Sequence, residues 1–173
     1  MQSQSKAKTA AFLGLYLALA VIMGYVEYRI PFHFGIPGVK LGLSNIVIVF
    51  VLVTMGYFPA LLVSVLRVII IAMLFGSPLS ALYGFAGTLV SLTLMALLKK
   101  SGKFSLVGIS AAGGAAHEVG QVLVAALVIK SSAIFGYLPI LLIAGEITGA
   151  LIGLLLTLLL RVIKKVPAEG SAA

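Results

Sequence analysis

The chain contains no cysteine and no aspartate. Without thiols it can form no disulfide, bind no metal through thiolate and offer no cysteine nucleophile, and nothing about its redox compartment can be read from them. Charge of either sign is scarce. Charged residues make up 9% of the 173 and hydrophobic residues 62%, with a mean hydropathy of +1.25, whereas a soluble domain carries roughly 25% charged residues. Also missing are a P-loop and a glycine-rich nucleotide fingerprint placed after a strand, so any use of ATP has to come from a partner. No stretch is polar and long enough to be a separate soluble domain.

What remains is an all-α membrane protein. A hydrocarbon core of about 30 Å takes about 20 residues of helix per crossing. Apolar runs bounded by Gly, Pro and Lys/Arg predict a six-transmembrane-helix bundle, with helices at about 8–27, 41–56, 59–75, 79–98, 105–129 and 137–161. Residues 1–165 form one integral membrane domain, followed by a small polar tail at 166–173. The first run follows Lys6 and Lys8 in the manner of a signal peptide, but it continues to about Tyr25 without a cleavage site and reads as a retained helix. The formal net charge of +8 sits mainly in termini and short loops, which makes it a topology signal and argues against nucleic acid as partner. Lys6, Lys8, Lys99, Lys100, Lys103, Arg161, Lys164 and Lys165 fall on one side and Arg29, Lys40 and Lys130 on the other, which predicts both termini inside. Before the short second helix, YRIPFHFGIPGVKLG is too rich in Pro, Gly and polar residues to span, and is expected to fold over the bundle as an outer lid.

Against this background the polar side chains inside the apolar runs stand out. Arg67 lies in LLVSVLRVIIIAMLF, His117, Glu118 and Gln121 in AAGGAAHEVGQVLVAAL, and Glu146 in LPILLIAGEITGALIGL. A charge near the centre of a membrane helix costs about 2.5–3.5 kcal/mol on an insertion scale unless the protein satisfies it. His117, Glu118 and Gln121 occupy one helical face by their i,i+3 and i,i+4 spacing. Ser44 and Asn45, beside Lys40, open the second helix and are placed to roof the same chamber. The expectation is a polar chamber, lined by Lys40, Asn45, Arg67, His117, Glu118, Gln121 and Glu146, that binds a small ligand. The alternative is a structural ion pair between Arg67 and one glutamate that fixes helix register. His117, with no cysteine and no second histidine nearby, is a poor metal site, so neither metal nor cofactor is expected. Glu27, with Arg29 and His33, reads as interfacial and solvated, with a lid contact to ligand as the alternative, and Tyr25, Tyr28, Phe32 and Phe34 read as an aromatic interfacial belt.

Small residues recur at helical spacing as Ala10, Gly14 and Ala18, as Ser80, Gly84, Gly87 and Ser91, and as Gly145, Gly149 and Gly153. Such ladders let helix backbones approach closely in lipid. The second and third read as packing within the bundle. The first is open between that and docking on another subunit, with Ala7 and Ala11 as a competing register.

In GIPGVKLGLSNIV, residues 35–47, together with HEVGQ, residues 117–121, the chain resembles the family called heptaprenyl diphosphate synthase component I, or Gx transporter family, over about residues 8–165. The family's usual fifth-helix motif is His-Asn-x-x-Gln, and Glu118 stands here at the Asn position. The resemblance implies a relationship to the substrate-binding S components of energy-coupling-factor (ECF) transporters in the bacterial cytoplasmic membrane. That would mean six helices, an outward-accessible pocket, and a first helix docking through Ala10, Gly14 and Ala18 on a scaffold that works with ATPase subunits. The enzymatic label fits this chain poorly, because without aspartate it cannot display the paired aspartate-rich motifs that hold magnesium diphosphate in prenyl synthases. The expected function is a solute-binding subunit of an ECF-type importer. A non-catalytic membrane subunit serving prenyl diphosphate synthesis is the alternative, and a membrane assembly factor for quinone or flavin electron transfer the third reading.

Overall fold

The computed structural model describes residues 2–29 and 41–165, with side chains for 6–29 and 41–163. Residues 30–40 of the expected lid, which include Lys40, and the tail at 166–173 lie outside the described residues. Six α-helices follow one another: α1 Gln2–Arg29, α2 Leu43–Thr54, α3 Tyr57–Phe75, α4 Pro78–Ser101, α5 Leu106–Ile129 and α6 Leu138–Lys165, with a 3₁₀ turn at Ser132–Tyr137 leading into α6. No strand occurs among the described residues.

Local chemistry fixes the boundaries. Ser77 and Ser80 form a reciprocal capping box with Pro78 in the first turn of α4, the Ser77 hydroxyl accepting from Ser80 N at 3.1 Å. At the start of α5 the Ser105 hydroxyl accepts from Gly108 N at 3.1 Å. Gly42, at φ 73°, and Gly56, at φ 97°, bracket α2 in backbone conformations that a side chain would strain.

That bracketing changes one expectation. All helices except α2 are long and apolar enough to cross a bilayer. α2 has 12 residues, about 18 Å at 1.5 Å per residue, well short of about 30 Å. Of the six expected spans, five coincide with helices long enough for a full crossing, and α2 is a shorter apolar helix. Lys99, counted as a topology signal, also has a packing task. Its Nζ donates to Leu52 O at 2.7 Å and Val53 O at 3.0 Å, capping the C-terminal end of α2 with a cation.

Glycine sets the tightest helix contacts. A Cβ built on Gly145 would lie 2.7 Å from Gly114 O, one on Gly153 2.7 Å from Val107 Cα, and one on Gly120 2.8 Å from Ala86 O. Thus α5 packs backbone to backbone against both α6 and α4, as the ladders on the fourth and sixth helices imply. The α1 ladder behaves differently. Ala10, Gly14 and Ala18 are exposed, and nothing lies within 4 Å of a Cβ on Gly14. α1 instead packs through the other side, with Tyr16 against Phe50 at 5.5 Å and Tyr25 against Phe75 at 4.9 Å between ring centroids. The closed apolar core, including Val51, Leu52, Ala60, Val63, Leu92 and Leu156, fills the half of the bundle nearer Lys99. Toward the other end the described residues enclose a hollow.

Candidate functional site

The hollow is a cavity of about 230 Å³ to which all six helices contribute. Its floor is the edge of the core, at Val49, Leu92, Met95 and Ile152, and it rises past Arg67 and His117 to Glu27, Gly42 and Gln121.

Arg67 reaches the cavity from α3. Its Nη1 donates to the Ser44 hydroxyl and, at 3.5 Å, more weakly to Asn45 Oδ1, both in the first turn of α2. The carboxyl group of Glu27 on α1 acts on it electrostatically. Glu27 is half-buried, and its Oε1 accepts from the backbone N–H of Gly42, one residue before α2 begins. The expectation that Glu27 is simply solvated at the interface is therefore corrected. It lines the chamber and ties α1 to the start of α2.

The opposite wall belongs to α5. Gln121 Nε2 and His117 Nε2 lie 3.0 Å apart in a hydrogen bond, as their i,i+4 spacing requires. The rotamers of His117 and Glu118 depend on missing side chains opposite. A Cβ on Gly87 would lie 2.9 Å from His117 Nδ1, and one on Gly145 would lie 2.9 Å from Glu118 Cγ. The glycines of α4 and α6 thus serve two purposes, close packing and room for the polar groups of α5.

Asn45, Arg67, His117, Glu118 and Gln121 are brought to one cavity. Lys40 lies outside the described residues. Glu146 is a correction: its side chain is exposed on α6 and is not part of the lining. The α5–α6 seam turns Gly145 and Gly149 inward, and Glu146, one residue along the helix from Gly145, is carried about 100° round the axis.

Residue-type reasoning placed Ser44 at the chamber but missed the other hydroxyls. Ser44, Ser64, Thr88, Ser91 and Ser110 are the buried polar residues among those described, and all five line the cavity, as does Thr148. A signal for them exists in spacing. Ser64 precedes Arg67 by three residues, Thr88 precedes Ser91 by three, and Ser110 precedes His117 by seven, each pair on one helical face. Among the described residues, no three His or Glu side chains gather as metal ligands would.

A family model described as heptaprenyl diphosphate synthase component I matches residues 16–159. The chain belongs to this family. The matched stretch contains every described chamber residue and Ala18, while Ala10 and Gly14 lie ahead of it. No curated protein and no solved structure matches the chain. In this member of the heptaprenyl diphosphate synthase component I family, the polar groups converge on a cavity between helices, the position in which helical membrane proteins keep their ligand sites.

Proposed function

We propose that the chain is a non-catalytic, ligand-binding membrane subunit that serves prenyl diphosphate synthesis beside a separate, catalytic synthase component. The observation that carries the binding role is the cavity holding Arg67, Glu27 and Glu118 with amides and hydroxyls from six helices. Groups this costly to bury are held in a membrane bundle mainly where they meet a ligand or an ion. Family membership supports the metabolic setting, and the lack of aspartate supports leaving the magnesium-dependent step to a partner. In this reading Arg67 receives the acceptor oxygens of the ligand, and Asn45 and Gln121 give directional hydrogen bonds. Both termini face the cytoplasm, α2 makes a short sixth passage, and the cavity is reached from the outer face of the cell membrane.

The test is reconstitution of the purified chain with and without a soluble prenyl synthase component, supplied with allylic and isopentenyl diphosphates. The chain alone should form no product, and its addition should raise or redirect the activity of the soluble component. Product formation by the chain alone, or indifference of the soluble component, contradicts the proposal.

A second reading, a solute-binding subunit of an ECF-type importer, is favoured by one observation. Ala10, Gly14 and Ala18 form an exposed strip with open space over Gly14, the kind of surface on which another transmembrane helix packs closely. Gly14→Leu should then abolish association with a membrane scaffold and leave ligand retention intact. Loss of folding in that variant would count against it.

A further inference from the structure

Resting on the reading that the cavity holds a ligand, we propose that this ligand is a compact, water-soluble molecule of zero or near-zero net charge. It presents a carbonyl or carboxylate oxygen to Arg67 and Ser64, and it is not an isoprenoid diphosphate. Two polar atoms point to the recognition chemistry. Arg67 Nε and Ser64 Oγ are buried and have no hydrogen-bond partner among the described residues. Ser64 is 0% exposed, and both residues line the cavity one helical turn apart. Leaving a buried donor unsatisfied is costly, and both donors are assigned to acceptor oxygen on the ligand.

Below that point hydroxyls are interspersed with the apolar side chains of the floor. Thr88 and Ser91 of α4 and Ser110 of α5 bring hydroxyls close to the floor. A pocket shaped for a hydrocarbon tail would be apolar at that depth, since each hydroxyl facing an alkyl chain loses its hydrogen bonds. The size agrees. About 230 Å³ is below the roughly 300–1,000 Å³ of pockets for drug-sized ligands, and the backbone contacts of Gly145 on Gly114 and Gly120 on Ala86 close the seams beside α5 through which a tail would leave. Charge points the same way. One guanidinium shares the cavity with the carboxyl groups of Glu27 and Glu118, a poor balance for the several negative charges of a diphosphate but a suitable one for a neutral or zwitterionic molecule.

The full chain in mild detergent is heated in aliquots and its folded fraction measured by gel filtration, with three probes: farnesyl diphosphate, inorganic diphosphate, and a desalted aqueous small-molecule extract of the expression host. The extract should raise the melting midpoint, and neither diphosphate should. Ser64→Ala should raise the ligand-free midpoint, because an unsatisfied buried hydroxyl is removed, and should lose most of the shift given by the extract. Protection by farnesyl diphosphate but not by the extract overturns the ligand class and leaves the binding role standing. No protection by any probe, with no small molecule released from the purified chain, overturns the binding role itself. A lower ligand-free midpoint for Ser64→Ala with the full shift retained makes the hydroxyl structural and overturns the proposal.

Discussion

Arg67, at mid-length of α3, donates to the hydroxyl of Ser44 in the first turn of α2. This one bond links the cationic centre of the cavity to the start of the helix too short to cross the bilayer. A hydrogen bond to a charged group contributes about 1.5–3 kcal/mol. In a double-mutant cycle with Arg67→Met and Ser44→Ala, the coupling energy from unfolding in mixed micelles should fall in that range. Additive effects would show that the two side chains act independently.

Gly145 and Gly14 offer a contrast within one class of substitution. A Cβ at Gly145 would press on Gly114 O and on Glu118 Cγ, at 2.7 and 2.9 Å, whereas at Gly14 it meets nothing. Gly145→Ala should cost about 1–3 kcal/mol, the usual penalty of overpacking. Gly14→Ala should be neutral or stabilise by up to about 1 kcal/mol through helix propensity. Thermal unfolding of both variants checks the pair, and equal effects would contradict the seam described here.

Lys99 holds the C-terminal carbonyls of α2 by two bonds. Lys99→Met should destabilise the bundle by about 1–2 kcal/mol. Faster hydrogen–deuterium exchange should be concentrated at residues 51–56. Unchanged exchange there would mean that the cap contributes nothing.

Glu118 and Glu146 look alike in sequence and differ in place, one in the cavity wall and one on an exposed face. Glu118→Gln should change the amount of small molecule retained through purification, whereas Glu146→Gln should leave it as in the parent. Mass spectrometry of the released material decides. The reverse pattern would move the site to the outside of α6.

Much of this arrangement is legible in the residues. Apolar runs with Gly, Pro and Lys at their ends locate the helices, because the bilayer sets both their length and their composition. The i,i+3 and i,i+4 spacing of His117, Glu118 and Gln121 places them on one face because a helix has no other way to arrange them. Other features need tertiary information. Glu146 sits in as apolar a run as Arg67, and only the inward turn of Gly145 and Gly149 onto α5 shows that it faces away. Glu27 lies near a helix end where a solvated carboxylate is the ordinary case, and its role depends on Gly42 meeting it from another element. The hydroxyls of Ser64, Thr88 and Ser110 pass unnoticed because serine and threonine occur in membrane helices for many reasons. Their significance comes from convergence, which a single helix does not display.

The most direct measurement is the inventory of small molecules released by denaturing equal amounts of folded parent protein and of Arg67→Met, both purified gently from the same membranes. A polar compound near one equivalent per chain in the parent, and strongly depleted in the variant, is the expected result. Equal amounts in both, or none in the parent, would contradict a ligand site centred on Arg67.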